Sequence, residues 1–289
     1  MKLFTSVFTS LVFIISASVA YSAPIKVLAA ENFYGSLAKE IGGKYVSVNS
    51  IINNPDADPH LFSTSVKTAK NVNDAQIIIY NGADYDPWMA QMLASQSSNN
   101  KLAIINVAKL IGVKSGANPH IWYKPETFPA LAVKLTLLFS KIEPQHKAIF
   151  AANLEKFDQS YQKVYQLIDT ITRQYKNIQV SATEPVYGYM ADALGFKMKG
   201  LDFQWVIMND SEPSPKVMSA FMQMIREKNI RIMYENGQVN NPNVQTVLNL
   251  AKKNNIPVVQ VSETLPEGIS TTTWIESSLQ QTLDALKKQ

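Results

Sequence analysis

The 289-residue sequence has no cysteine, only three histidines, and no long apolar run beyond its N-terminal segment. Without thiols there can be no disulfide, no thiolate metal ligand, no cysteine nucleophile and no lipid anchor through a lipobox cysteine. No later segment approaches the roughly 18 uninterrupted apolar residues of a membrane-spanning helix. Charge is sparse and mixed, with 27 Lys and Arg against 23 Asp and Glu and a formal net charge of +4. The longest basic runs are pairs such as Lys252-Lys253, so nothing argues for nucleic-acid or membrane-surface binding. Also missing are a Gly-x-Ser-x-Gly elbow, a Walker phosphate loop and a His-Glu-x-x-His helix, which leaves little for catalysis.

What is present begins with an export signal. Met1-Lys2 is a short positive start, residues 3–15 are mostly apolar, and Ser16-Ala17-Ser18-Val19-Ala20 supplies small residues for cleavage after Ala20. Cleavage as late as Ser22 or Ala23 stays open. Residues 1–20 are therefore read as a secretory signal peptide and the mature chain as a soluble periplasmic protein without a direct membrane anchor.

Short apolar runs alternate with helical stretches through both halves. Strands are expected at 25–29, 46–52, 76–81 and 102–107, then at 178–181, 203–208, 230–234 and 256–261. Several are continuous Val/Ile/Leu runs, the pattern of strands buried on both faces of a mainly parallel sheet. Between the halves, Phe150, Leu154, Phe157, Tyr161, Val164, Ile168, Ile171 and Tyr175 recur at spacings of three and four with no Gly or Pro. The expected fold is α/β: two lobes, each a mainly parallel sheet flanked by helices, joined by one long backbone helix. The expected divisions are 24–142 for the first lobe, 143–176 for the linking helix and 177–289 for the second lobe.

Three turns carry groups suited to a divalent metal: Asp58-Pro59-His60, Asn118-Pro119-His120 and Thr183-Glu184-Pro185. A fourth carboxylate, Glu263, follows the run Ile256-Pro257-Val258-Val259. His60 and His120 share a context, each after Pro and each two residues before an aromatic, Phe62 or Trp122. Loops at the ends of parallel strands are where such folds bind ligands. Two imidazoles and two carboxylates from four distant points form a closed cage for a transition metal if the fold unites them. His146, among Gln and Lys at the start of the long helix, reads as a solvated surface residue. Glu184 has a plainer reading as a helix-capping acid. Glu235 also follows a buried strand directly and rivals Glu263 on residue grounds.

In this order the motifs resemble the zinc- and manganese-binding solute receptors of bacterial ABC transporters. The resemblance runs from Asp58-Pro59-His60 and Asn81-Gly82 through Asn118-Pro119-His120-Ile121-Trp122 and the long helix. It continues through Glu184-Pro185-Val186-Tyr187-Gly188-Tyr189 to Glu263, essentially the whole mature chain. It implies one Zn²⁺ or Mn²⁺, the transported ligand, held between the lobes by His60, His120, Glu184 and Glu263. It also implies a membrane permease as partner, a non-enzymatic role and a monomer. Zinc-selective relatives usually carry His where Glu184 stands and Asp where Glu263 stands, and many insert a His-rich loop where residues 113–117 are short and plain. These departures lean toward a manganese-type donor set, although Zn²⁺ outcompetes Mn²⁺ at almost any N/O site. The alternatives are a metal-dependent hydrolase and a receptor for a chelate or organic solute walled by Trp122, Trp205 and Tyr187.

Overall fold

The computed structural model describes residues 23–54, 62–95 and 103–288. The chain starts with β1 (Ile25–Glu31), α1 (Asn32–Gly42), β2 (Val46–Ile52), α2 (Val66–Asp74), β3 (Ile77–Tyr80), α3 (Pro87–Ala94), β4 (Ala103–Asn106), α4 (Val107–Leu110) and α5 (Thr127–Ile142). Next comes α6 (Lys147–Tyr175). The rest is β5 (Gln179–Ala182), α7 (Gly188–Ala193), β6 (Lys197–Lys199), α8 (Leu201–Met208), α9 (Pro215–Arg226), β7 (Ile232–Asn236), α10 (Pro242–Lys253), β8 (Val258–Val261) and α11 (Thr271–Lys287). The strands form two parallel sheets of identical order, β2-β1-β3-β4 and β6-β5-β7-β8.

The continuous apolar strands are continuous for the expected reason. Ile77, Ile78 and Ile79 of β3 are all fully buried, because helices cover both faces of the sheet. Each such side chain contributes about 1.5–3 kcal/mol by leaving water.

One expected strand is a helix. The run at 203–208 lies in α8, and the edge strand of the second sheet is β6, Lys197-Met198-Lys199, which pairs with β5. A six-residue apolar run fits a buried strand or a buried helical turn equally well. Here Gly200, at φ 72° and ψ 31°, turns the chain after β6, and Phe203 and Ile207 then pack with Phe221 and Ile225.

The long helix α6 spans 29 residues, about 43 Å. Phe150, Phe157, Tyr161, Val164 and Ile171 of its stripe are buried, and Leu154, Ile168 and Tyr175 pack at the margin of the same cluster. That cluster is continuous from Ile25 in β1 to Leu286 in α11, so the lobes share one core through α6. Hydrogen bonds add cross-ties: the Asn32 amide donates to the Leu265 carbonyl and accepts from the Leu265 N–H, both at 2.8 Å. His146 departs from its expected place in solvent. It is half-buried, and its ring stacks on Tyr45 with centroids 3.8 Å apart.

Candidate metal centre

A sheet ordered 2-1-3-4 reverses direction between its first and third strands, and the crevice at those carboxyl ends is where such folds bind ligands. Both sheets have this order, and the site residues follow their strand ends. Glu184 lies just beyond β5, Asn236 ends β7, Glu263 lies just beyond β8, and His120 sits in the loop after α4.

His120 is fully buried and held on all sides. Its Nδ1 lies 2.7 Å from Oδ1 of Asn118, and its backbone N–H donates to the same oxygen at 3.1 Å. The Asn118 Nδ2 donates to the Pro185 carbonyl at 2.7 Å, so Oδ1 is the acceptor and the proton of a neutral His120 sits on Nδ1. Nε2 is then the unprotonated ring nitrogen. Trp122 and Tyr85 meet the imidazole edge-on, with centroids 5.2 and 6.1 Å away.

Across the cleft, Glu263 is equally buried. Its Oε2 lies 3.4 Å from Nε2 of His120 and accepts from the Tyr85 hydroxyl at 3.0 Å. Its Oε1 accepts from Nδ2 of Asn236 at 2.6 Å, and its N–H donates to Oε1 of Gln238 at 2.6 Å. The same Asn236 nitrogen donates to Oε2 of Glu184 at 2.5 Å. Two ligands each about 2.0–2.2 Å from one ion, at a tetrahedral angle, stand about 3.4 Å apart. The Nε2 to Oε2 gap matches that spacing.

The sequence-selected residues therefore divide. His120 and Glu263 meet across the lobes, Glu184 is joined to Glu263 through Asn236, and His60 lies outside the described residues. Among the described residues no three His, Asp or Glu side chains close on one point, since Asn236 stands between Glu184 and Glu263. Glu184 holds the capping position of a short 3-10 turn, Pro185–Tyr187, yet makes no capping bond with its side chain. Glu235 is half-buried beside Gln260 of β8, and strand alternation turns it to the face opposite Asn236. Trp122 and Tyr187 are fully buried, so neither walls an open cleft for an organic solute.

Sequence reading missed Tyr85 and Asn236, and a second layer beneath the His120 loop. The Asp86 carboxylate accepts from the N–H groups of Asn81 and Gly82 at 2.6 and 2.8 Å. The Asn81 amide in turn donates to the Pro119 carbonyl at 2.9 Å and accepts from the Tyr34 hydroxyl at 2.7 Å. Glu31, at the end of β1, is fully buried against Asp86. Burial, then the Asp86 charge, raises the Glu31 carboxyl well above the usual range. Burial raises Asp86 to about 6, against the pull of its two backbone donors. Burial therefore favours the neutral form of both acids.

The profile of the ZnuA family, described as zinc-uptake complex component A, periplasmic, matches residues 27–289. The chain belongs to the ZnuA family. Among its relatives, the manganese-binding lipoprotein MntA of Bacillus subtilis is 25% identical over 250 residues, covering 82% of this chain and 79% of that protein. The periplasmic zinc-binding protein TroA of Treponema pallidum shares the fold with a TM-score of 0.73 at 16% identity, over 92% of this chain and 98% of that one. A Mn-bound periplasmic metal-binding protein of candidatus Liberibacter asiaticus, an S38A mutant, has a TM-score of 0.74 at 19% identity, over 91% and 99% of the two chains. The family is thus described by zinc uptake, and the relatives are named for binding manganese, zinc or an unspecified metal.

Proposed function

We propose that the protein captures one Zn²⁺ or Mn²⁺ between its lobes through His60, His120, Glu184 and Glu263 and delivers it to the permease of an ABC importer. The observation that carries this reading is the 3.4 Å approach of His120 Nε2 and Glu263 Oε2 across the lobes, two buried ligating atoms at the spacing of one shared ion. A catalytic zinc would need an open coordination position and a general base nearby. Here both carboxylates are engaged by the Asn236 amide, and His146 stacks on Tyr45 beside Glu143. A binding role without turnover fits this arrangement.

Export follows from the N-terminal signal, and the proposed location is the periplasm. Relatives are named lipoproteins, whereas this sequence contains no cysteine to carry a lipid. No helix among the described residues is long and apolar enough to cross a membrane.

Calorimetric titration of chelator-stripped, signal-cleaved protein tests the proposal. A single site for Zn²⁺ or Mn²⁺ is expected, and a stoichiometry of zero for both ions would overturn it.

A further inference from the structure

Asn236 ends the buried strand β7, and its amide stands between the two acids of the centre. Nδ2 donates to Oε2 of Glu184 at 2.5 Å and to Oε1 of Glu263 at 2.6 Å. An amide nitrogen has two protons, so one goes to each carboxylate. The amide is itself held: its Oδ1 accepts from the Gln238 N–H at 3.2 Å, and its backbone N–H donates to the Thr183 hydroxyl at 3.0 Å. All three side chains are buried, so this arrangement is shielded from competing water.

A carboxylate meets a metal through one oxygen or two, and the choice sets the coordination number. Two imidazoles and two glutamates supply four donor atoms when each acid uses one oxygen, and up to six when both chelate. Four-coordinate tetrahedral sites suit Zn²⁺, whereas Mn²⁺ takes higher, oxygen-rich coordination. The residue types alone therefore do not decide between these ions. An oxygen gripped by an amide at 2.5–2.6 Å is turned toward that donor, with part of its charge already met. In Glu263 the other oxygen, Oε2, is the one facing His120.

We infer that Asn236 is a specificity-determining residue, which limits Glu184 and Glu263 to one metal-facing oxygen each and so biases the site toward four-coordinate Zn²⁺ over Mn²⁺. This rests on the proposed metal-capture function. It runs against the lean of the donor set toward manganese, because the outer amide rather than the ligand types sets the coordination number.

The test compares wild type with Asn236→Ala and Asn236→Ser as stripped proteins. Zn²⁺ and Mn²⁺ affinities are measured by chelator competition, and Co²⁺ serves as a spectroscopic stand-in. Wild type should give the intense visible bands of four-coordinate Co²⁺. In both variants these bands should weaken and the ratio of Zn²⁺ to Mn²⁺ affinity should fall by about tenfold or more. Equal losses for both ions with an unchanged Co²⁺ spectrum would make Asn236 a structural residue only and overturn the inference. Tighter binding of both ions would also overturn it, by showing that the amide competes with the metal. A weak, six-coordinate Co²⁺ spectrum in wild type refutes it even if neither variant folds. Failure of wild type to bind any of the three ions would instead refute the metal-capture proposal.

Discussion

The first lobe brings His120, one of the proposed ligands, to the cleft on a loop backed by the rings of Trp122 and Tyr85 and tied to Asn118. The second lobe, with the same strand order, brings Glu184 and Glu263 on strand-end turns held by the amides of Asn236 and Gln238. The difference follows from charge. A neutral imidazole needs a fixed tautomer and a packed wall, which one amide oxygen and two aromatic rings provide. Two buried carboxylates close together repel each other and need hydrogen-bond donors whenever no cation is bound. The first lobe also contains an acid pair, Glu31 and Asp86, where burial favours the neutral form of both carboxyls.

The sharpest way to break this comparison is to remove an imidazole. His60→Ala and His120→Ala should each weaken metal binding by at least about 100-fold, because the proposed four-ligand cage would lose one of its ligands. His146→Ala should leave affinity unchanged, since that ring packs on Tyr45. Equal losses for all three variants, measured by calorimetry, would show that the first lobe does not supply the ligands assigned to it.

A smaller effect is expected on the acid side. Glu263→Gln keeps the shape but removes a charge and a ligating oxygen, and should weaken binding strongly. Glu235→Gln, on the opposite face of β7, should change affinity by less than about threefold, as an ordinary surface substitution does. Side-by-side titration with the reverse ranking would move the fourth ligand to Glu235 and leave the Asn236 hydrogen bonds without a part in capture.

The smallest effect belongs to the buried acids Glu31 and Asp86. Glu31 and Asp86 are both raised in the folded protein, so folding binds protons more tightly than the unfolded chain does. Their favourable contribution is complete below the unfolded carboxylate range of about 4 and is lost as pH rises through about 6 for Asp86 and through the raised range of Glu31. Glu31→Gln stays neutral throughout. Relative to wild type, its melting temperature should be higher at pH 8 than at pH 5 by about 2–4 °C. An offset that is the same at both pH values would show that folding does not raise the Glu31 carboxyl.

Much of this architecture was legible in the residues. The strand around Ile77–Tyr80 and the apolar stripe of α6 announced themselves because a continuous apolar run and a 3.6-residue period leave different marks. The run at 203–208 was too short for either period to show, and β6 offers only Met198 between two lysines. Tyr85 and Asn236 had no signal at all. A Tyr in a turn and an Asn ending a strand are ordinary residues until a carboxylate from 178 or 27 positions away is brought against them.

The sequence by itself determined the α/β alternation, the long α6 and the residue types able to hold a metal, since these depend on local periodicity and side-chain chemistry. Only the tertiary structure decided that His120 meets Glu263 across the lobes, that Glu235 faces away, and that one amide divides its two protons between the acids. Those facts depend on which strand ends become neighbours and on the face each side chain takes there. Both are set by the packing of two sheets on one helix, so no local stretch of the chain contains them.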